Sequence, residues 1–321
     1  MRRSLLALVA CALVLSACGG DDSGTNGGGG KAGKLTTIKV GVIPIADVAP
    51  LYLGMQQGFF KAERLNVEPK IAGGGAAIAA SVLSGEDDFG FSNVVSIATA
   101  QAKGLPLKIV SQGVSGHKTE AEAFDTLLVP KDSDIKRAQD LAGKTVAVNA
   151  LSNIGPLSIN YAIEQARGDY RSVKYVEVPF PDMVGALDAG RVDAAWVVEP
   201  FASQGKAAGM RSIFAPFEAV SPNLTIAAYF TTEQKIQEDG DVVDRFVRAM
   251  QKSLKYAQDN PDAVRKVVLT YTKIPKPAAE KMTLPNWNPA YNDASIEKTI
   301  ELAQRYGFVP KPVALNDLIR R

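Results

Sequence analysis

Residues 71–93 hold the first arrangement in this sequence whose types and spacing could do chemistry. Gly73, Gly74 and Gly75 make a turn that no side chain obstructs. Small residues from 76 to 83 then predict a short helix, Gly85 its end, and Asp88-Phe89-Gly90-Phe91 a buried strand finishing at Ser92-Asn93. A glycine turn at a helix start leaves backbone N–H groups pointing outward, where an anion or a polar ligand group can settle. Ser92 and Asn93 would stand at the carboxyl end of the strand, the edge at which open α/β sheets bind ligands. A βαβ unit with close helix–sheet packing and no ligand accounts for the same glycines.

A second copy favours the ligand reading. Phe180-Pro181-Asp182 opens a helix, residues 187–190 end it, and Asp193-Ala194-Ala195-Trp196 is again a buried strand, running to Glu199-Pro200. Gly85-x-x-Asp88 and Gly190-x-x-Asp193 hold the same place in the two units, the glycine capping a helix and the aspartate fixing the turn into a strand. Two such units facing one another would enclose a cleft lined by the carboxyl ends of both sheets.

The chain around these units is long enough for two lobes, at 321 residues. Its hydrophobic content of 46% and charged content of 22% are those of an ordinary globular protein. The N-terminus reads differently. Arg2-Arg3, an apolar run over 5–15 and Leu15-Ser16-Ala17-Cys18 form a secretory signal too short to span a membrane stably. The last four residues resemble a bacterial lipobox, which implies cleavage of residues 1–17 and a diacylglycerol on Cys18. Of 36 Lys and Arg residues the signal removes two and no acid, leaving 34 against 34 Asp and Glu, so no basic excess points to nucleic acid. Cys11 leaves with the signal, so no disulfide and no cysteine metal site is expected. Residues 18–35, rich in Gly, Asp and Ser, read as a flexible tether.

Past the tether, strands are predicted at 37–43, 67–71 and 107–112 around the glycine unit, with helices at 51–60 and 94–102. Residues 114–123 interrupt this alternation with the one histidine, His117, which has no second histidine to share a metal and reads as a solvated loop residue. A strand at 124–129 would carry the chain into a second lobe, with strands at 144–149, 173–178 and 212–215 and helices at 155–165 and 200–208. Ser152 or Asn153 would cap the first of these helices. A strand at 223–230 is the expected return crossing. Lobe 1 is thus expected over 36–123 plus 231–321, and lobe 2 over 124–230. The remainder is helical, with Val243, Phe246, Val247, Met250, Leu254 and Ala257 forming a stripe of helical period. Tyr271, Trp287 and Tyr291 are expected to pack the core or the lobes.

The order GVIPIADVAPLYLGMQQGFF, LNVE, GGGAAIAASVLSGEDDFGFSN, DLAGKTVAV and VDAAWVVEPF resembles the solute-binding proteins of ABC importers over about residues 36–320. Specifically it resembles the group serving sulfonate, taurine, nitrate and thiamine-pyrimidine-precursor uptake. The resemblance implies an α/β, two-lobe periplasmic-binding-protein-like fold with two crossovers, each lobe a mostly parallel sheet flanked by helices. It also implies a monomer that takes up one small ligand, needs no cofactor or metal, and is docked by a membrane permease with its ATPase. Carried over by position, ligand contacts would fall on Asp47 and Tyr52, on Gly75, Ala76 and Ala77, and on Ser92 and Asn93. They would continue on Asp125 and Thr126, Ser152, Asn153 and Ile154, Phe180 and Asp182, and Trp196 and Glu199. Most of these positions end a strand or begin a helix, although Asp47 also suits a plain turn.

None of the candidate segments contains Arg or Lys. A bare anion would lack a guanidinium partner there, whereas Asp47, Asp125 or Glu199 could pair with an amine and Tyr52, Phe180 or Trp196 could flank a ring. An amine-bearing sulfonate such as taurine, or an aminopyrimidine, therefore suits the site better than nitrate. Glu199 equally suits a structural anchor before Pro200. The competing class is an enzyme on the same fold, of pyrimidine- or chorismate-processing type. Against it stand the export signal and the lack of convergent acid–base groups in the sequence.

Overall fold

The computed structural model describes residues 34–321. The expected export signal, Cys18 and nearly all of the expected tether lie outside the described residues. Two five-stranded sheets form the frame. The first contains β1 (Thr36–Val42), β2 (Leu65–Ile71), β3 (Phe89–Asn93) and β4 (Leu107–Ser115). The second contains β5 (Asp125–Val129), β6 (Thr145–Val148), β7 (Lys174–Glu177), β8 (Ala194–Val198) and the short β9 (Arg211–Ser212). A last strand, β10 (Thr225–Thr232), returns to the first sheet. The orders are β2-β1-β3-β10-β4 and β7-β6-β8-β5-β9, with only β10 and β5 running against their neighbours.

The two sheets have one plan, and each gains its reversed strand from a crossing segment. The boundary expected at residue 230 is corrected here, because β10 pairs with β3 and β4 and so belongs with the first sheet. The helix expected over 51–60 is two helices, Ala49–Gln56 and Phe59–Ala62, because Gly58 takes φ 75° between them. The strand expected over 212–215 shrinks to the two residues of β9.

Helix Gly240–Asp259 buries the predicted stripe against the first sheet, with the Phe246 ring stacked on Phe89 at 4.0 Å. Val247 is the exception and stays half-buried. Each large apolar side chain buried this way contributes about 1.5–3 kcal/mol. Among the described residues no helix is long and apolar enough to cross a membrane.

Candidate functional site

The two G-x-x-D units are wired identically. Gly85 and Gly190 take φ of 77° and 64°, and each follows a helix end closed by a reciprocal pair of backbone bonds. Glu86 N–H donates to Ser81 O and Gly85 N–H to Val82 O; Arg191 N–H donates to Ala186 O and Gly190 N–H to Leu187 O. The aspartates then grip the first strand of each unit. Asp88 Oδ2 accepts from Lys39 N–H at 2.8 Å, and Asp193 Oδ2 accepts from Thr145 N–H at 2.7 Å. These grips fix β3 beside β1 and β8 beside β6, so the carboxyl ends of all four strands converge.

Where they converge lies a small cavity of about 30 Å³. The first sheet and its loops contribute Ile43, Ile45, Asp47, Phe91, Asn93, Ile226 and Ala227. The second contributes Asn149, Asn153, Ile154, Phe180, Trp196, Val198 and Phe217. No Lys or Arg is among them.

Asp47 sits in the 3-10 turn Ala46–Val48 just after β1. Its turn is held from three directions. Trp287 Nε1–H donates to Asp47 O at 3.0 Å, Tyr271 O–H to Ile45 O at 3.1 Å, and Ala46 N–H to Glu199 O at 2.9 Å. The side chain is 3% exposed and its Oδ1 has no hydrogen-bond partner. Burial pushes its carboxyl up to about 7, against the pull of a hydrogen bond from its own backbone. The Tyr229 hydroxyl, also buried and unpartnered, is raised by burial and by the nearby Tyr52 and Asp47.

Three asparagines supply the polar edge. Asn93 caps helix Val94–Ala102, accepting from Ser96 N–H at 3.0 Å and donating to Ser96 Oγ at 3.0 Å. Asn153 caps helix Ile154–Gln165 through Gly155 N–H at 3.0 Å, and its amide donates to Asn149 Oδ1 at 2.8 Å. Trp196 forms the aromatic wall, with ring centroids 5.6 Å from Phe180 and 5.5 Å from Phe217. Gly155 lets the indole approach, since a Cβ there would lie 2.5 Å from it. Asp125 Oδ2 accepts from Trp196 Nε1–H at 3.0 Å.

Of the positions anticipated from the sequence, the cavity brings together Asp47, Asn93, Asn153, Ile154, Phe180 and Trp196. Asp125 stands behind Trp196 as its anchor. The other positions fall elsewhere. Ser92 points away from Phe91 and Asn93, as strand alternation demands, and packs where a Gly75 Cβ would be. Gly75 is buried beneath it, while Ala76, Ala77, Ser152 and Asp182 are exposed. Tyr52 stacks on Tyr271 at 4.0 Å, outside the lining. Thr126 bonds Ser212 and Phe214 O on the far face of β5.

Of the two roles open to Glu199, its hydrogen bonds fit the anchor, and it lies outside the cavity lining. Its Oε1 accepts from Ser203 Oγ at 2.8 Å and Thr283 N–H at 3.1 Å, and its Oε2 from Ser203 N–H at 3.0 Å. Burial raises its pKa, against these same bonds. His117, expected as a solvated loop residue, is corrected to a half-buried one whose Nε2 is bonded to Leu284 O at 2.8 Å. The lining residues that sequence reading missed include Phe91 and Asn149. Phe91 lies three residues after Asp88 just as Trp196 lies three after Asp193, a signal available in the sequence.

Comparison with known proteins agrees with the two-sheet fold. The family described as NMT1/THI5 like matches residues 45–264. A formylaminopyrimidine-binding protein of Halalkalibacterium halodurans is 23% identical over 284 residues, 83% of this chain and 84% of that protein. A ligand-binding component of an ABC-type import system from Staphylococcus aureus superposes with TM-score 0.77 at 14% identity, covering 89% of this chain and 96% of that one. The alkanesulfonate-binding protein SsuA of Xanthomonas axonopodis pv. citri superposes with TM-score 0.75 at 18% identity, covering 90% and 99%. The architecture is that of periplasmic binding proteins, and the chain belongs to the NMT1/THI5-like family.

Proposed function

We propose that this chain is the extracytoplasmic solute-binding component of an ABC importer, anchored by lipid on Cys18 and passing its cargo to a permease with its ATPase. Its cargo is a small planar nitrogen compound carrying an amine or ring N–H, of the aminopyrimidine class. The observation that carries this is the unpartnered, buried Asp47 Oδ1 beside an aromatic wall with no cation among the lining residues. A flat ring gains contact against Phe180 and Trp196, its N–H groups pair with Asp47, and Asn93, Asn149 and Asn153 serve its remaining polar edge. The relative named for binding formylaminopyrimidine agrees with that chemistry.

A cavity of about 30 Å³ admits about two waters, well below what encloses a ring. Ligand entry therefore needs the walls to part, and the two sheets act as lobes that swing about the crossings before β5 and β10. One protomer carries the whole cavity, so a monomer suffices.

Calorimetry on wild type and Asp47→Asn, with 4-amino-2-methylpyrimidine, taurine and butanesulfonate, tests the reading. Wild type should bind the aminopyrimidine, and Asp47→Asn should weaken it by on the order of 2–5 kcal/mol through loss of the charged partner. Butanesulfonate should give no heat. Binding of a simple sulfonate, unchanged or tighter in Asp47→Asn, with no heat from the aminopyrimidine, overturns the proposal; heat from taurine alone moves the cargo to amine-bearing sulfonates.

A further inference from the structure

Behind the Trp196 wall two carboxyl groups meet. Asp125 opens β5 and is 2% exposed; its Oδ2 holds Trp196 Nε1–H, while its Oδ1 has no partner. Glu218, on helix Pro216–Val220, comes within hydrogen-bond reach of Asp125. Its Oε1 accepts from His117 N–H at 3.3 Å, and its buried Oε2 has no partner. Two buried carboxylates in contact cannot both ionise cheaply, and one proton held between them supplies the hydrogen bond that each lacks. We propose that Asp125 and Glu218 share a proton, and that this protonated pair positions Trp196, and with it Phe217, as the wall of the cavity.

The surroundings favour the shared proton. Glu120, on the turn Glu120–Glu122, adds a further negative charge near Glu218. His117 offers Glu218 only its backbone N–H, because its ring is engaged by Leu284 O. The Phe217 backbone lies close enough to lower the Asp125 pKa somewhat, and Trp196 gives Asp125 the indole N–H. Lys118, Lys136 and Arg137 line the outer groove that also reaches Glu218. Burial first, then the charge of Glu218, holds Asp125 well above the usual carboxylate range, and burial pushes Glu218 up to about 7.

The sign follows from a raised carboxyl. At low pH both carboxyls are protonated; Glu218 gives up the first proton near 7, which leaves one proton shared, and that proton is lost only at higher pH, because the charge on Glu218 holds Asp125 up. Once both protons are gone, two like charges facing one another push β5 and helix Pro216–Val220 apart, and these carry Asp125 and Phe217. Asp125 and Glu218 touch no ligand; they act as positioning residues through Trp196.

Tryptophan emission of the full chain in mild detergent, titrated from about pH 5 to about pH 10, tests this without any ligand. Its failure is thereby separate from failure of the aminopyrimidine reading, on which it rests only in naming Trp196 as a cavity wall. Wild type should hold its low-pH spectrum through about 7 and show a transition above it, as the shared proton leaves. Trp196→Phe should abolish it, assigning the signal to Trp196 rather than Trp287. Glu218→Gln, whose amide donates permanently to Asp125, should keep the low-pH spectrum throughout, and Asp125→Asn should do the same should Glu218→Gln fail to fold. No transition in wild type, a transition surviving Trp196→Phe, or an unchanged transition in either amide variant overturns the proposal.

Discussion

The halves of this protein share a backbone plan but divide the chemistry of the cavity between them. Counting from Lys39 and Thr145, which the two aspartates grip, Ile43 corresponds to Asn149 and Asp47 to Asn153. Counting from Asp88 and Asp193, Phe91 corresponds to Trp196 and Asn93 to Val198. All eight residues line the cavity. The repeated glycine turn and aspartate grip therefore fix where side chains arrive, and the side chains differ in every pair. An apolar residue faces an amide, and an acid faces an amide. The strand ends differ too, since Asn93 caps its helix locally whereas Glu199 also reaches Thr283, 84 residues on. A duplicated frame thus carries a cavity that is itself not symmetric.

The strand ends give the largest test of this contrast. Glu199→Ala should destabilise by about 3–5 kcal/mol, losing three hydrogen bonds to a buried acid and stranding their donors. Asn93→Ala, the loss of a cap alone, should cost about 0.5–2 kcal/mol. Urea unfolding of both variants checks this, and equal losses would mean that Glu199 is no more than a cap.

Next in size is Asp47→Asn, which writes the second half's residue into the first. The folded-state pKa of Asp47 is raised from 3.8 to about 7, so its contribution to stability is full near pH 4 and lost as pH rises to about 7. The asparagine variant should therefore melt higher than wild type at pH 8, by on the order of 2–4 kcal/mol. That advantage should shrink as pH falls through 7 and vanish near pH 4. Thermal melts across this range decide it, and a pH-independent difference would show that the carboxyl carries no burial penalty.

Smaller effects sharpen the comparison of the two grips. Asp88→Ala and Asp193→Ala should each cost about 1.5–3 kcal/mol for the charged bond to a backbone N–H. Asp88 also pairs with Lys235 at 2.7 Å, both side chains being about a quarter exposed, so its loss should exceed that of Asp193 by about 0–1 kcal/mol. Smallest are Gly85→Ala and Gly190→Ala. Neither added Cβ meets any atom within 4 Å, which leaves only the left-handed backbone cost of about 1–2 kcal/mol, nearly equal at the two sites. Chemical denaturation of all four reads the differences, and a large inequality between the glycines would break the equivalence of the turns.

Local signals determined much of this protein from the sequence alone. The glycine caps, the Asn153 cap and the stripe on helix Gly240–Asp259 follow from spacings of a few residues, which propensity and periodicity report directly, whereas the aspartates, expected to fix a local turn, reach strands 48 and 49 residues away. The second unit even marks Phe91, through its shared offset with Trp196. Only the tertiary structure decided that β10 pairs within the first sheet, and that Phe217, Ile226 and Ala227 complete the cavity. Only there does Asp125 find Trp196, 71 residues away, and Glu199 find Thr283. A side chain's identity states what bonds it can make, but burial makes those bonds obligatory without naming the partner. That partner is set by which strands cross between the sheets and in which register, and no local spacing encodes it.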